Sequence, residues 1–122
     1  EGMSPDVITF LGVLKACSDI GATRMGQKIH ADIERRGFLR SDLISSAIVS
    51  MYAKCGLPSE AKKVFDMLPF RDIVTWTALL TGYAQIGDSM TVIYNFEIML
   101  REGIEPDSIA FFVVLQPHML GS

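Results

Sequence analysis

The sequence predicts an all-α fold, a right-handed superhelical solenoid of antiparallel helix-turn-helix repeats. Two nine-residue phrases, "IVSMYAKCG" at 48–56 and "LLTGYAQIG" at 79–87, share one order of apolar, small, tyrosine and glycine residues. Around them, apolar residues recur at spacings of three and four, which is the period of an amphipathic helix. No alternating run of apolar and polar residues favours a strand. Helical pairs of this size cannot bury their apolar faces alone, so we expect them to stack.

The repeat continues beyond the two phrases. Tyr52 and Tyr83 lie 31 positions apart, and "PDVITFLGVL" at 5–14 returns as "PDSIAFFVVL" at 106–115. Aligning these anchors predicts three complete units and the beginning of a fourth. The units span 7–41, 42–72, 73–107 and, incomplete, 108–122.

The first helix of unit 7–41 is expected to begin after Asp6, whose side chain is of the type that caps a helix. Gly21 ends this helix, because glycine adopts the left-handed C-terminal conformation at little cost. In the second helix, His30 and Ile33 fall on the apolar face. His30 holds the place that phenylalanine has in the next two units, so we expect a packed histidine rather than a ligand.

Unit 42–72 has the same plan with a shorter second helix. Pro58 fits the first turn of that helix, where a missing N–H costs nothing. The pair Leu68-Pro69 ends the helix early, because the residue before a proline avoids the helical conformation. The early end explains why this unit is four residues shorter than its neighbours.

Unit 73–107 shows the helical pattern most clearly. Asp72 is the expected cap of its first helix, and Asp107 is the expected cap of the helix that follows the unit. The apolar stripe of the first helix consists of Ile73, Trp76, Leu79, Leu80 and Tyr83. Trp76 and the tyrosines are therefore expected in the core rather than as stacking platforms for bases.

The composition limits several classes of function. The net charge is −3 and the pI is about 5.2, which argues against nucleic-acid binding driven by bulk charge. The longest apolar run, "IAFFVVL", is too short to span a bilayer, and no targeting segment is expected at the start of the chain. Cys17 and Cys55 have no second cysteine nearby, so we expect reduced thiols and no zinc site.

The phrase "MYAKCG…EAKKVFDMLPFRDIVTWTALLTGYAQIG" resembles the pentatricopeptide repeat proteins, specifically the plant class that mixes three motif lengths. Unit 7–41 resembles the long motif of that class. Unit 42–72, which ends in "RD", resembles the short motif, and unit 73–107, which ends in "EPD", resembles the standard one. Residues 108–122 resemble the start of another long motif.

The resemblance implies sequence-specific binding of single-stranded RNA, one base per repeat and 5′ to 3′ along successive repeats. In the family, the fifth and last residues of each motif read the base. These reading pairs are Leu11 with Ser41, Ser46 with Asp72, and Thr77 with Asp107. Serine or threonine with aspartate goes with guanine in the family, and asparagine with aspartate goes with uracil. The leucine of the first pair has no polar atom, so the first unit is not expected to discriminate.

The resemblance also implies a role for the second residue of each motif. Leu43 and Val74 hold this position, where the family sandwiches the base between apolar side chains. It further implies a plastid or mitochondrial location and work in RNA processing or editing. Some relatives carry a cytidine deaminase domain with the signature H-x-E and P-C-x-x-C, and this chain has neither element. We therefore expect no enzymatic activity and no cofactor.

Several alternatives stay open from the sequence. The chain could be a peptide-binding scaffold like the tetratricopeptide repeats, which have a period of about 34 residues. Asp72 and Asp107 could serve only as helix caps. Arg35, Arg36 and Arg40 could contact phosphates or simply form a solvated helix end. The apolar faces of the first and last units also predict end-to-end self-association.

Overall fold

The fold is seen in a computed structural model that describes residues 5–115. This range contains seven α-helices, one short 3₁₀ helix and no strand, so the all-α prediction is confirmed. The elements are α1 Pro5–Ile20, α2 Thr23–Arg35, the 3₁₀ helix Phe38–Arg40, α3 Asp42–Lys54, α4 Pro58–Met67, α5 Ile73–Gln85, α6 Ser89–Arg101 and α7 Ser108–Val114. The end of the predicted fourth unit, 116–122, lies outside the described residues.

The helices stack as consecutive hairpins. Helices α1, α3, α5 and α7 pack in that order, each against the next, and α2, α4 and α6 each pack beside the helix that precedes them. Each hairpin therefore makes its main contacts with the hairpins next to it, which is the arrangement of a solenoid. None of the helices described within 5–115 is long and apolar enough to cross a membrane.

Aspartate caps the starts of α5 and α7. Oδ1 of Asp72 accepts a hydrogen bond from the backbone N of Thr75 over 3.0 Å, and Oδ1 of Asp107 accepts one from the backbone N of Ala110 over 2.8 Å. These bonds satisfy N–H groups that have no partner inside the helix. Both predicted caps are confirmed.

The cap predicted at Asp6 is wrong. Helix α1 begins at Pro5, so Asp6 lies inside the first turn. Proline is accepted at the first helical position because its missing N–H would have no helical partner there. The helix therefore extends past the aspartate, whose negative charge still suits the N-terminal end of the helix dipole.

Helices α4 and α5 end where the sequence predicts. Helix α4 stops at Met67, and Leu68 is extended with a ψ of 129°, because the next residue is proline. The predicted early end of this helix is confirmed. After α5, Gly87 has a positive φ of 79°, which glycine tolerates because it lacks a Cβ atom.

Trp76 lies at the centre of the core. Its side chain is 1% exposed and packs edge-on against Phe65, with 4.7 Å between the ring centroids. Tyr52 and Tyr83 are buried as well. Trp76 and these two tyrosines therefore belong to the core, as predicted, and are not available to stack on a ligand.

His30 is partly buried on α2 beside Tyr52. Nδ1 of His30 and the Tyr52 hydroxyl share a hydrogen bond of 2.7 Å, and the two rings meet edge-on. Burial lowers the pKa of His30, although the carboxylates of Glu34 and Glu60 act in the opposite direction. Burial also raises the pKa of Tyr52 to about 12, so its phenol keeps its proton. The neutral imidazole is therefore the form that the fold accommodates.

We expect acid to destabilise the fold through His30. A folded-state pKa below the ordinary value of about 6.5 means that the unfolded chain takes up the proton first as the pH falls. Stability is then full above about pH 6.5 and is lost as the pH falls through that value toward the folded pKa. The substitution His30→Phe introduces the side chain found at the equivalent Phe65 and Phe96. In this variant the free energy of unfolding should depend less on pH. Urea denaturation at about pH 7.5 and 5.5 measures this dependence, and equal pH dependence of the two proteins would contradict it.

Candidate functional site

A row of apolar side chains lies exposed on α1, α3, α5 and α7, and we call the surface that carries it the odd-helix face. Leu43 and Val74, the second residues of their units, are 56% and 65% exposed. Ile8 and Ile109 hold the same position in the flanking units and are similarly exposed. They were not singled out from the sequence, although the unit register marks them. Exposed apolar side chains that recur in this way indicate a binding surface.

A cavity of about 300 Å³ opens on the odd-helix face. Its lining includes Val74, Thr77, Asp107 and Ile109. The Thr77 hydroxyl donates a long hydrogen bond of 3.5 Å to Oδ1 of Asp107. Thr77 is 8% exposed, so neighbouring atoms cover most of its surface. The structure therefore brings the third predicted reading pair together with a predicted sandwiching residue.

Asp107 uses one carboxylate oxygen for the fold and keeps the other available. Oδ1 accepts the capping hydrogen bond from Ala110 and the long one from Thr77. Oδ2 has no hydrogen-bond partner within residues 5–115. Helix capping and ligand binding are therefore compatible at this residue, because each uses a different oxygen.

The second predicted pair, Ser46 and Asp72, is joined through a third residue. The Thr75 hydroxyl donates a hydrogen bond to Oδ1 of Asp72 over 2.8 Å and lies 3.4 Å from the hydroxyl oxygen of Ser46. Thr75 was not singled out from the sequence. The sequence around Thr75 gives only a weak indication of this contact, because a threonine three residues after a helix cap is common.

The first predicted pair, Leu11 and Ser41, is arranged differently. Leu11 is partly buried and lines a second cavity of about 300 Å³ together with Lys15 and Lys54. Ser41 caps α3, since its hydroxyl oxygen accepts from the backbone N of Ile44 over 3.4 Å. Leu11 itself brings no donor or acceptor to its cavity, whose polar groups come from Lys15, Ser18, Ser50 and Lys54.

Two sets of basic residues lie on different surfaces. Lys54 is exposed and lines both cavities of the odd-helix face. Arg35 and Arg36 instead form ion pairs with Asp32 on α2, and Nε of Arg36 lies 3.1 Å from Oδ2 of that aspartate. Arg40 is exposed in the 3₁₀ helix. The arginine cluster is thus partly neutralised, whereas Lys54 stands beside the cavities.

The described residues offer few groups for thiol chemistry or metal binding. Cys17 and Cys55 are free thiols, and Sγ of Cys55 lies 3.7 Å from the carbonyl oxygen of Cys17. Burial raises the pKa of the Cys17 thiol, which disfavours the reactive thiolate. In the described part of the chain, no three His, Cys, Asp or Glu side chains are grouped to hold a metal ion.

Comparison with known protein families gives the family of the chain. A model of the pentatricopeptide repeat domain matches residues 71–118, and a model of the single repeat matches residues 44–73. Together the two matches span 44–118, more than half of the 122 residues. The chain belongs to the pentatricopeptide repeat family.

Curated pentatricopeptide repeat proteins of Arabidopsis thaliana are similar along most of the chain. A chloroplastic one is 44% identical over 115 residues, which cover 94% of this chain and 22% of the relative. A second is 37% identical over 114 residues, 93% of this chain and 16% of the relative. A third, named as mitochondrial, is 36% identical over 115 residues, 94% of this chain and 18% of the relative. The chain thus spans about a fifth of the length of these pentatricopeptide repeat proteins.

Proposed function

We propose that this pentatricopeptide repeat chain binds single-stranded RNA and addresses one base with each repeat. The observation that carries the proposal is the cavity in which the Thr77 hydroxyl and the Asp107 carboxylate lie together with the exposed Val74 and Ile109. Unpaired bases expose a flat face and a hydrogen-bonding edge. The cavity supplies apolar side chains for the face and oxygen atoms for the edge.

Guanine suits the polar atoms of this cavity best. Its N1–H and N2 amino groups are neighbouring donors, whereas the Thr77 hydroxyl and Oδ2 of Asp107 can both accept. Ser46 and Asp72 offer the same two chemical groups one unit earlier. We therefore propose guanine opposite both units, with the guanine of unit 42–72 on the 5′ side.

The isolated chain should bind RNA weakly. Two units carry a polar reading pair, and each good base contact contributes about 1–3 kcal/mol. Association costs on the order of 4–15 kcal/mol, which two such contacts barely offset. Lys54 offers local attraction to phosphate, but the net charge of −3 adds none at long range. We expect a Kd above about 1 μM, so binding is best followed at high protein concentration.

Thr77→Asn tests the base-reading role. We propose that an amide in place of the hydroxyl moves the preference opposite unit 73–107 from guanine toward uracil, by about 1–3 kcal/mol. The fold should be retained, because threonine and asparagine have similar helix propensities. NMR titration of the chain with four RNAs 5′-AAGXA-3′, in which X is each base, measures the ranking at this position.

Thr9→Asn is the matched control for Thr77→Asn. It makes the same substitution at an exposed position of α1 and should leave the base ranking as in the wild type. If Thr77→Asn also leaves the ranking unchanged, Thr77 is only a packed helix residue and Asp107 only a cap. If the wild-type chain binds none of the four RNAs at millimolar concentration, RNA binding itself is ruled out for this chain.

A peptide-binding scaffold is the second candidate function. The observation in its favour is the cavity at Leu11, where Lys15 and Lys54 offer two cations to a peptide carboxylate. The cavity at Thr77 favours RNA, because it pairs a hydroxyl with a carboxylate that would repel a second carboxylate. Titration with a short acidic peptide distinguishes the two functions, since only the scaffold would bind it more tightly than RNA.

We further propose that the chain works in organellar RNA processing, in a plastid or a mitochondrion. The support is that similar proteins of Arabidopsis thaliana include one named as chloroplastic and one named as mitochondrial. The assignment of units 7–41, 42–72 and 73–107 to long, short and standard motifs stays a prediction. End-to-end self-association also stays a prediction, for which the exposed Phe111 and Phe112 of α7 offer one surface.

A further inference from the structure

The contact between Ser46 and Asp72 runs through the hydroxyl of Thr75, on the neighbouring helix. Thr75 is 2% exposed, so it cannot itself touch a base on the odd-helix face. Its hydroxyl oxygen lies 2.8 Å from Oδ1 of Asp72 and 3.4 Å from the hydroxyl oxygen of Ser46. A buried hydroxyl placed between both members of a proposed reading pair can control which of them donates and which accepts.

The direction of these hydrogen bonds follows from the number of protons. A threonine hydroxyl has one proton, and the carboxylate of Asp72, at the shorter distance, takes it. The Thr75 oxygen then has only lone pairs left for Ser46. The Ser46 proton is therefore directed toward Thr75, and the lone pairs of Ser46 are left for a ligand.

We infer that Thr75 is a positioning residue that makes the Ser46–Asp72 site an acceptor at both of its members. This inference rests on the proposed function and deepens it. Two neighbouring acceptors match guanine, whose N1–H and N2 amino groups are neighbouring donors. The Watson–Crick edges of adenine, cytosine and uracil each place an acceptor beside a donor, so one contact at this site becomes a repulsion between lone pairs.

The following pair, Thr77 with Asp107, has no threonine between its members. Ala110 stands where Thr75 stands in the preceding unit, three residues after the capping aspartate. There the hydroxyl of Thr77 reaches Asp107 directly, but over 3.5 Å. This 3.5 Å bond is about as long as the 3.4 Å contact of Ser46 with Thr75, and its charged acceptor directs the Thr77 proton toward Asp107. Both units therefore present a hydroxyl oxygen beside a carboxylate, and only unit 42–72 depends on a third residue to do so.

Thr75→Val tests the inference, because valine keeps the shape and the backbone N–H that caps with Asp72 but lacks the hydroxyl. NMR titration of the chain with RNAs 5′-AAXGA-3′ reads the base opposite unit 42–72, and 5′-AAGXA-3′ reads the next base. In Thr75→Val, the preference for guanine at the first position should fall about tenfold, while the preference at the second position stays unchanged. Thr75→Ser, which restores the hydroxyl, should restore the first preference.

Thr91→Val is the matched control for the lost cap bond. Thr91 donates to Oδ2 of Asp88 over 2.7 Å at the start of α6, outside the odd-helix face. It should change stability about as much as Thr75→Val and leave both base preferences intact. If Thr75→Val does not fold, Thr75→Ala takes its place, since alanine already stands at the equivalent position, Ala110.

The outcomes separate the inference from the proposed function. A wild-type chain with no preference at the first position would overturn guanine reading by unit 42–72 and the inference with it. A wild-type chain that prefers guanine, with Thr75→Val showing the same ratios, would overturn the positioning role alone. Equal losses at both positions would mean that Thr75 acts through general stability, which also overturns it.

Discussion

Trp76→Ala should cost about 3–5 kcal/mol of the free energy of unfolding, the range for removing a large buried aromatic side chain. The indole is 1% exposed and packs against Phe65 of the preceding hairpin. The substitution thus removes contacts within α5 and between neighbouring hairpins. A domain of this size has about 5–15 kcal/mol of stability in total, so much of it would be lost. Urea denaturation followed by circular dichroism measures the change.

Phe70→Ala is the control for Trp76→Ala. Phe70 is also aromatic, but it is 80% exposed in the connection between α4 and α5. Its replacement should change the free energy of unfolding by less than about 0.5 kcal/mol. A loss below about 1 kcal/mol in Trp76→Ala would show that the indole is not the centre of the core.

Gly82→Ala should destabilise the protein by about 1–3 kcal/mol, although alanine is the better helix former. A Cβ atom at Gly82 would lie 2.9 Å from the Cβ atom and 3.2 Å from the Cα atom of Ala53, and 3.3 Å from the Cβ atom of Pro58. All three atoms are fixed to the backbone of α3 and α4, so α5 would have to move away. Gly82 also lines the cavity at Thr77, so the proposed RNA binding should weaken in parallel.

Gly12→Ala makes the same change where there is room for it. Gly12 lies inside α1, and a Cβ atom there would meet nothing within 4 Å. This substitution should stabilise the protein by about 0.5–1 kcal/mol, because alanine loses less backbone freedom on folding. Thermal denaturation of both variants should give shifts of opposite sign. Shifts of the same sign would show that Gly82 does not mark a close helix contact.

The features that the sequence predicted correctly depend on local chemistry. Asp72 and Asp107 cap helices because an aspartate side chain reaches the N–H three residues on, whatever lies around it. Helix α4 ends at Met67 because a proline follows two residues later. The burial of Trp76 follows from its place in an apolar stripe. The error at Asp6 concerns one residue at a helix boundary, where proline and aspartate both suit the first turn.

The features that escaped prediction depend on contacts between hairpins. Thr75 joins Ser46 to Asp72 only because α3 and α5 pack side by side, and no spacing along the chain indicates that contact. The close approach at Gly82 likewise depends on how two helices meet. Ile109 is a different case, since its position in the unit already marked it. Its place in the lining of the cavity follows from that position.

Under the proposed function, the last residue of each unit also limits how such a chain can acquire new RNA targets. Ser41, Asp72 and Asp107 each accept a hydrogen bond from the N–H of the third residue of the following unit, so the side chain that is proposed to read a base also caps a helix. Only a few residue types cap a helix well, and replacing one by alanine costs about 0.5–2 kcal/mol. Folding therefore restricts the residue at this position to short polar side chains. The fifth residue, which is Leu11, Ser46 or Thr77 in the three units, caps no helix, so under the proposed function a repeat can change its base preference more freely there.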